Sequence, residues 1–132
     1  MTYNCNIKNE DNKFIVQFPD MQNVLTYGTS EENAFLMAEE ALNAVLETDL
    51  AENYPIPEPK YKSGYAIEVS PKIAFAIELR KVRGNRTKKE VAEIAGMTYQ
   101  QYQRLENPKK ANPTLETLYR LQKVFNRPFL AL

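Results

Sequence analysis

Every second residue from Tyr3 to Ile7 is apolar: Tyr3, Cys5 and Ile7 alternate with polar neighbours, the period of a half-buried strand. "NEDN" (residues 9–12) reads as a turn, and "KFIVQF" (13–18) resumes the alternation with Phe14, Val16 and Phe18 on one face. "PDMQN" (19–23) breaks the ladder, and "VLTYG" (24–28) predicts a third short strand. The period then changes from two to that of a helix. "TSEENAFLMAEEALNAVLETDL" (29–50) opens with capping-box spacing between Thr29 and Glu32, with Ser30 as the alternative cap. It carries a stripe of Ala34, Met37, Ala38, Ala41 and Val45 suited to packing on a sheet. Residues 51–64 hold three prolines and predict an extended connection. "YAIEV" (65–69) alternates again through Tyr65, Ile67 and Val69, so a fourth strand returns to the sheet. Residues 1–70 therefore read as a module of order β-β-β-α-β.

From Pro71 to the end the pattern is of short helices. "PKIAFAIELRKVRG" buries a broad face of Ile73, Phe75, Ala76, Ile77, Leu79 and Val82, with Pro71 in the first turn and Gly84 as the stop. "TKKEVAEIAG" begins with the box Thr87…Glu90 and ends at Gly96, and "TYQQYQRLEN" begins with a second box, Thr98…Gln101. "NPTLETLYRLQKVFN" has Thr114 as cap and Leu115, Leu118, Leu121, Val124 and Phe125 as candidate core. The apolar tail "RPFLAL" would add a short strand or a contact. The expected class is α+β, with a second, all-α domain over residues 71–132.

Composition narrows the chemistry. The chain of 132 residues has no histidine, which removes the commonest general base and metal ligand. Its one cysteine, Cys5, sits at an expected buried strand position and cannot form an internal disulfide; with one cysteine and no histidine, Cys/His zinc sites are also excluded. No apolar run approaches the ~20 residues that span a bilayer, so no membrane partner is expected. The start lacks the basic and apolar regions of a secretory signal, and the expected location is a reducing cytoplasm. The zero net charge conceals a division. Residues 1–64 hold four lysines against eleven Asp and Glu, and residues 65–132 hold thirteen Lys and Arg against six Glu. The basic half suits a polyanion and the acidic half a basic protein.

The second and third short helices, joined at Gly96, form a helix-turn-helix pattern. Gly96 supplies the left-handed backbone of the turn, Ala92 lets the helices approach, and Met97 covers the turn. With Tyr102 and Leu105 facing inward, the helix from Thr98 leaves Tyr99, Gln100, Gln103, Arg104 and Asn107 outside. Glutamine pairs with adenine N6 and N7, and arginine with guanine O6 and N7, in the major groove. Lys88 and Lys89 at the preceding helix start, and Lys109 and Lys110 after the reading helix, suit backbone phosphates. RNA is less favoured, since no aromatic-rich sheet motif is visible.

"TKKEVAEIAGMTYQQYQRLEN" closely resembles the Cro/cI (phage repressor-like) helix-turn-helix family, and the likeness extends over residues 72–126. The resemblance implies that Tyr99, Gln100 and Arg104 read bases and that Lys88 and Asn107 contact phosphates; from their places on the same face and its flanks, Gln103 is expected to join the base readers, and Lys89, Thr98, Lys109 and Lys110 the DNA-backbone contacts. Pro108 stands where that family usually has glycine. The first half resembles the HicB antitoxin family through Phe18-Pro19-Asp20, Thr26-Tyr27-Gly28 and Ala38-Glu39-Glu40-Ala41-Leu42, although Met21-Gln22-Asn23 replaces the usual Leu-Pro-Gly. "YPIPEPKYKSGYAIEVSPKIA" is similar to the linker, last strand and entry helix of members with a C-terminal DNA-binding domain.

This resemblance implies a partial ribonuclease-H-like fold without catalysis and a cognate HicA-type mRNA-cleaving toxin, bound by residues 1–70. It further implies repression of the shared operon through double-stranded operator DNA bound by residues 71–132. A homodimer or higher homo-oligomer is expected, with no cofactor and no metal. Asp11, Asp20, Glu31, Glu32 and Glu39 are the candidates for metal-dependent hydrolysis, but their expected positions in a turn and on a solvated helix do not converge. The other reading is a stand-alone phage-repressor-like regulator whose first module oligomerises or senses a ligand.

Overall fold

The alternating stretches pair into a four-stranded antiparallel sheet of order β3-β2-β1-β4, comprising β1 (Thr2–Glu10), β2 (Lys13–Gln17), β3 (Leu25–Gly28) and β4 (Tyr65–Glu68). This is a computed structural model, and it describes residues 1–129. Asp11 and Asn12, both at positive φ, make the two-residue loop between β1 and β2, a backbone that short polar residues tolerate. Ile7 opposite Val16, and Tyr3 opposite Ile67, set the register. That register gathers Tyr3, Cys5, Val16 and Ile67 as buried residues beneath α1 (Glu31–Ala51).

Helix α1 starts one residue later than the expected box. Ser30, not Thr29, is the cap and accepts the Asn33 N–H at 3.0 Å, while the Thr29 N–H donates back to Asn33 Oδ1 at 2.9 Å. The return bond thus comes from Thr29, the residue before the cap, with an amide in the glutamate's role. The buried stripe is also turned relative to expectation. Ala34 and Ala38 are buried as read, but Leu42, Leu46 and Asp49 continue the line, and Met37, Ala41 and Val45 flank it half-buried. Periodicity fixes a helix face only to within one neighbouring row; here Leu42 and Leu46 fill the space against the sheet, each contributing about 2 kcal/mol on burial.

The proline-rich connection is tied down rather than loose. Asp20 Oδ2 accepts the backbone N–H groups of Lys60 at 2.8 Å and Tyr61 at 2.7 Å. The Tyr3 hydroxyl donates to the Pro57 carbonyl, and Tyr61 donates to Asn6 Oδ1 at 2.9 Å. Met21, the departure from the family's usual Leu-Pro-Gly, is buried and closes tight turns on both sides, donating to Phe18 O and accepting from Val24 N.

The chain divides into two compact units, Met1–Ser70 and Pro71–Leu132. The second contains α2 (Pro71–Arg83), α3 (Lys88–Ile94), α4 (Tyr99–Leu105) and α5 (Leu115–Phe125). Their core is Phe75, Leu79, Val91, Ala92, Ala95, Tyr102, Leu105, Leu121 and Phe129, flanked by Val82, Met97, Leu118 and Phe125. Leu115 and Val124 do not join it: they are exposed, at 77% and 40%. The core line of α5 instead passes through Leu118, Leu121 and Phe125, a helical spacing that puts the other two on the outside. Phe129 is the tail's contact with this core, and residues 130–132 lie outside the described segment. Among the described residues no helix is long and apolar enough to cross a membrane.

Candidate functional site

Both expected capping boxes of the helix-turn-helix are formed. Thr87 accepts from the Glu90 N–H at 3.1 Å, and the Glu90 carboxylate receives the Thr87 hydroxyl at 3.1 Å. Thr98 accepts from Gln101 N–H at 3.1 Å while Gln101 Oε1 accepts from Thr98 N–H at 3.0 Å. Each cap is worth about 1 kcal/mol, so the start of α4 is fixed at Thr98. The turn before it is closed by Met97 N–H donating to Ala92 O at 3.0 Å and Gly96 N–H donating to Glu93 O at 3.1 Å. That pair of bonds requires a left-handed residue between them, and Gly96 has φ +68.

Two inward residues hold α4. Tyr102 is fully buried and Leu105 nearly so. The opposite side carries Tyr99, Gln100, Gln103 and Arg104, all exposed. Thr98, Lys89, Lys109 and Lys110 are exposed, and Lys88 and Asn107 are half-buried. The structure therefore brings the four expected base readers onto one helix face. It sets Lys88 and Lys89 in the first turn of α3, and Asn107, Lys109 and Lys110 in the loop that leaves α4.

That loop explains Pro108. Asn107 O accepts from Lys110 N–H at 3.0 Å and from Ala111 N–H at 2.8 Å, and Asn107 Oδ1 accepts from Lys109 N–H at 3.1 Å. Asparagine at the first position of a turn and proline at the second is a favoured combination, because proline needs no N–H there and presets φ. No residue of this loop has positive φ, so the glycine usual in the family is not required.

Sequence reading missed what anchors the far end of α4. Glu106 is buried and meets Arg83 in a two-pronged pair, Nε to Oε2 at 2.9 Å and Nη2 to Oε1 at 3.1 Å. The Glu106 hydrogen bond raises the Arg83 pKa above its ordinary value. Burial first, and then Glu106, push the Tyr102 phenol well above its ordinary pKa, so it stays protonated beside this pair. Arg86 is likewise structural: it donates to Val82 O at 2.7 Å and lies over the Phe125 ring, 5.4 Å from its centre. A separation of 23 positions between Arg83 and Glu106 left no local signal.

In the first unit, α1 covers one side of the sheet, as the approach of Gly28 to Ala34 and the edge-on contact of Phe35 with Tyr65 show. The other side presents exposed Leu25 and Tyr27, with Lys13 Nζ 5.0 Å from the Tyr27 ring centre. Leu36 is exposed on α1. Of the candidate carboxylates, Asp11 sits in the hairpin loop, Glu31, Glu32 and Glu39 are exposed, and Asp20 holds two backbone N–H groups.

Comparison with known proteins matches each unit separately. Residues 2–77 match the family described as "HicB_like antitoxin of bacterial toxin-antitoxin system", and residues 77–132 match the family described as "Helix-turn-helix". The chain is similar to Antitoxin HicB 2 of Photorhabdus laumondii subsp. laumondii, with 28% identity over 107 residues, covering 80% of this chain and 77% of that protein.

Proposed function

The chain belongs to the HicB-like antitoxin family, and on that premise we propose that it neutralises a cognate HicA-type mRNA-cleaving toxin and represses its own operon. Residues 1–70 bind the toxin, and residues 71–132 bind operator DNA. The protein acts in the cytoplasm, without catalysis of its own, as a homodimer or higher homo-oligomer on a palindromic site. The observation that carries the proposal is the reading face of α4: Tyr99, Gln100, Gln103 and Arg104 stand outward on a helix packed only through Tyr102 and Leu105, in the same chain as a HicB-like unit. Glutamine and arginine on such a face recognise adenine and guanine edges. Lys88, Lys89, Thr98, Asn107, Lys109 and Lys110 contact the DNA backbone. The acidic excess of the first half favours a basic, RNA-binding partner.

Co-expression with the product of the neighbouring gene tests the first half. Growth restored by the full chain, and by residues 1–70, supports it; a neighbour product neither bound nor neutralised by either defeats it. Binding of the full chain to the DNA upstream of its own gene, compared with random duplex at matched salt, tests the second half.

A further inference from the structure

Between the flanks of α4 and α5 lies a cavity of about 290 Å³. Arg104, Lys110 and Arg120 line it together with Gln101, Asn112 and Thr117, and no Asp or Glu is among the described lining residues. Arg120 Nη1 is 3.5 Å from the Gly96 carbonyl, the limit of a hydrogen bond, and none of the three cations is ion-paired among the described residues. Local structure explains the convergence. Gln101 and Arg104 are three apart on α4, as are Thr117 and Arg120 on α5, so each pair shares a helix flank. The Asn107–Pro108 turn delivers Lys110 to the same place.

Three like charges around one space repel one another, and the fold supplies no carboxylate there to offset them. An anion does so. Guanidinium groups present a planar fork that matches two oxygens of a phosphate, and a lysine adds a point charge. The volume is at the lower end of the range of small-molecule sites, enough for one phosphodiester unit. The neutral side chains of Gln101, Asn112 and Thr117 add hydrogen-bonding capacity.

We propose that this cavity is a phosphate site held chiefly by Lys110 and Arg120, with Arg104 on the edge it shares with the reading face, and that it takes a backbone phosphate of the operator. Arg120 is the new residue in this assignment: it makes α5, and not only α3, α4 and the loop between α4 and α5, a part of the DNA contact. The source of the phosphate rests on the DNA-binding reading above; the chemistry of the cavity does not.

The test uses the full chain with R120Q and R120K. Binding to operator and to random duplex is measured across a salt series, and inorganic pyrophosphate is titrated by NMR. R120Q is expected to weaken both duplexes about tenfold, as for loss of one charge-assisted hydrogen bond. It should also lower the salt slope by about 0.9, one phosphate contact. R120K, which keeps the charge, should retain the slope, and that rescue separates the site from a role in folding. Pyrophosphate shifts should map to the cavity and disappear in R120Q. Unchanged duplex affinity and slope in R120Q, with pyrophosphate binding abolished, overturns the operator as source and leaves a free phosphate compound. If neither duplex nor pyrophosphate binding responds to R120Q, the site itself is overturned. Wild-type protein that binds no duplex, but binds pyrophosphate through Arg120, refutes the DNA reading and upholds the cavity.

Discussion

Arg83 at the end of α2 and Glu106 at the end of α4 are joined through two hydrogen bonds, with side chains only 15% and 5% exposed. The pair fixes the C-terminal end of α4 to α2, as the Thr98–Gln101 box fixes its start. Removing one partner strands a buried charge, whereas replacing both removes the need for the pair. Glu106→Ala is therefore expected to lower the stability of the second unit by about 3–5 kcal/mol. The double variant Arg83→Met/Glu106→Leu should recover much of this loss. Denaturant unfolding followed by signals from the second unit measures both; a double variant as unstable as Glu106→Ala would refute the stranded-charge account.

Base reading and backbone contact separate by their dependence on sequence and salt. Gln100→Ala should reduce discrimination between the operator and its mismatched variants by about 1–3 kcal/mol. Lys88→Ala should weaken all duplexes alike and lower the salt slope by about 0.9. Titrations at several salt concentrations on operator, mismatched and random duplexes distinguish the two. Equal losses on every sequence for Gln100→Ala would remove it from the reading face.

Two glycines are required for different reasons, and alanine exposes the difference. A Cβ at Gly28 would lie 2.3 Å from the Ala34 backbone nitrogen, so β3 and the first turns of α1 must separate. Gly28→Ala is expected to cost the first unit about 3 kcal/mol. A Cβ at Gly96 meets nothing within 4 Å, and only its φ of +68 is unfavourable. Gly96→Ala should cost the second unit about 1–2 kcal/mol. Urea midpoints of the two units test the order, and a larger loss at Gly96 would contradict it.

The first unit also carries a pH signature. Burial raises the Cys5 thiol from 9.0 to about 11, and burial, followed by nearby Glu58, raises the Tyr3 phenol from 10.0 to about 12. A raised pKa means that the folded state holds its proton where the unfolded chain has lost it, so stability falls as pH rises. The contribution of Cys5 is intact below pH 9 and lost through pH 11; that of Tyr3 is intact below pH 10 and lost through pH 12. Native Cys5 should react slowly with iodoacetamide at pH 8 and rapidly in denaturant. Fast labelling of the folded protein would contradict its burial.

What the sequence made legible was local. Capping-box partners lie three positions apart, so Thr87–Glu90 and Thr98–Gln101 were readable, as were the strand alternations and the stops at Gly84 and Gly96. Two registers were misread for the same cause: periodicity gives a helix face only to within one neighbouring row. On α1 the true line passes through Leu42 and Leu46, and on α5 it excludes Leu115 and Val124. Long-range polar contacts left no trace at all. Asp20 belongs to a motif recognisable by resemblance, but that it clamps the backbone 40 positions away depends on the fold. The convergence of Arg104, Lys110 and Arg120 was hidden because their charges are far apart in sequence and meet only when α5 packs against α4.

Pro108 has a kinetic consequence. A flexible loop beside a recognition helix must be frozen when a duplex arrives, and the lost freedom reduces affinity. Here the proline ring and the three hydrogen bonds to Asn107 restrict the loop in the free protein. Lys109 and Lys110 thus stand on a rim that is already ordered, so the proposed DNA encounter need not wait for the loop to search. Substituting glycine at position 108 would restore the family's usual residue and, with it, a loop freedom that this chain gives up during folding and that the proposed DNA contact would otherwise have to remove.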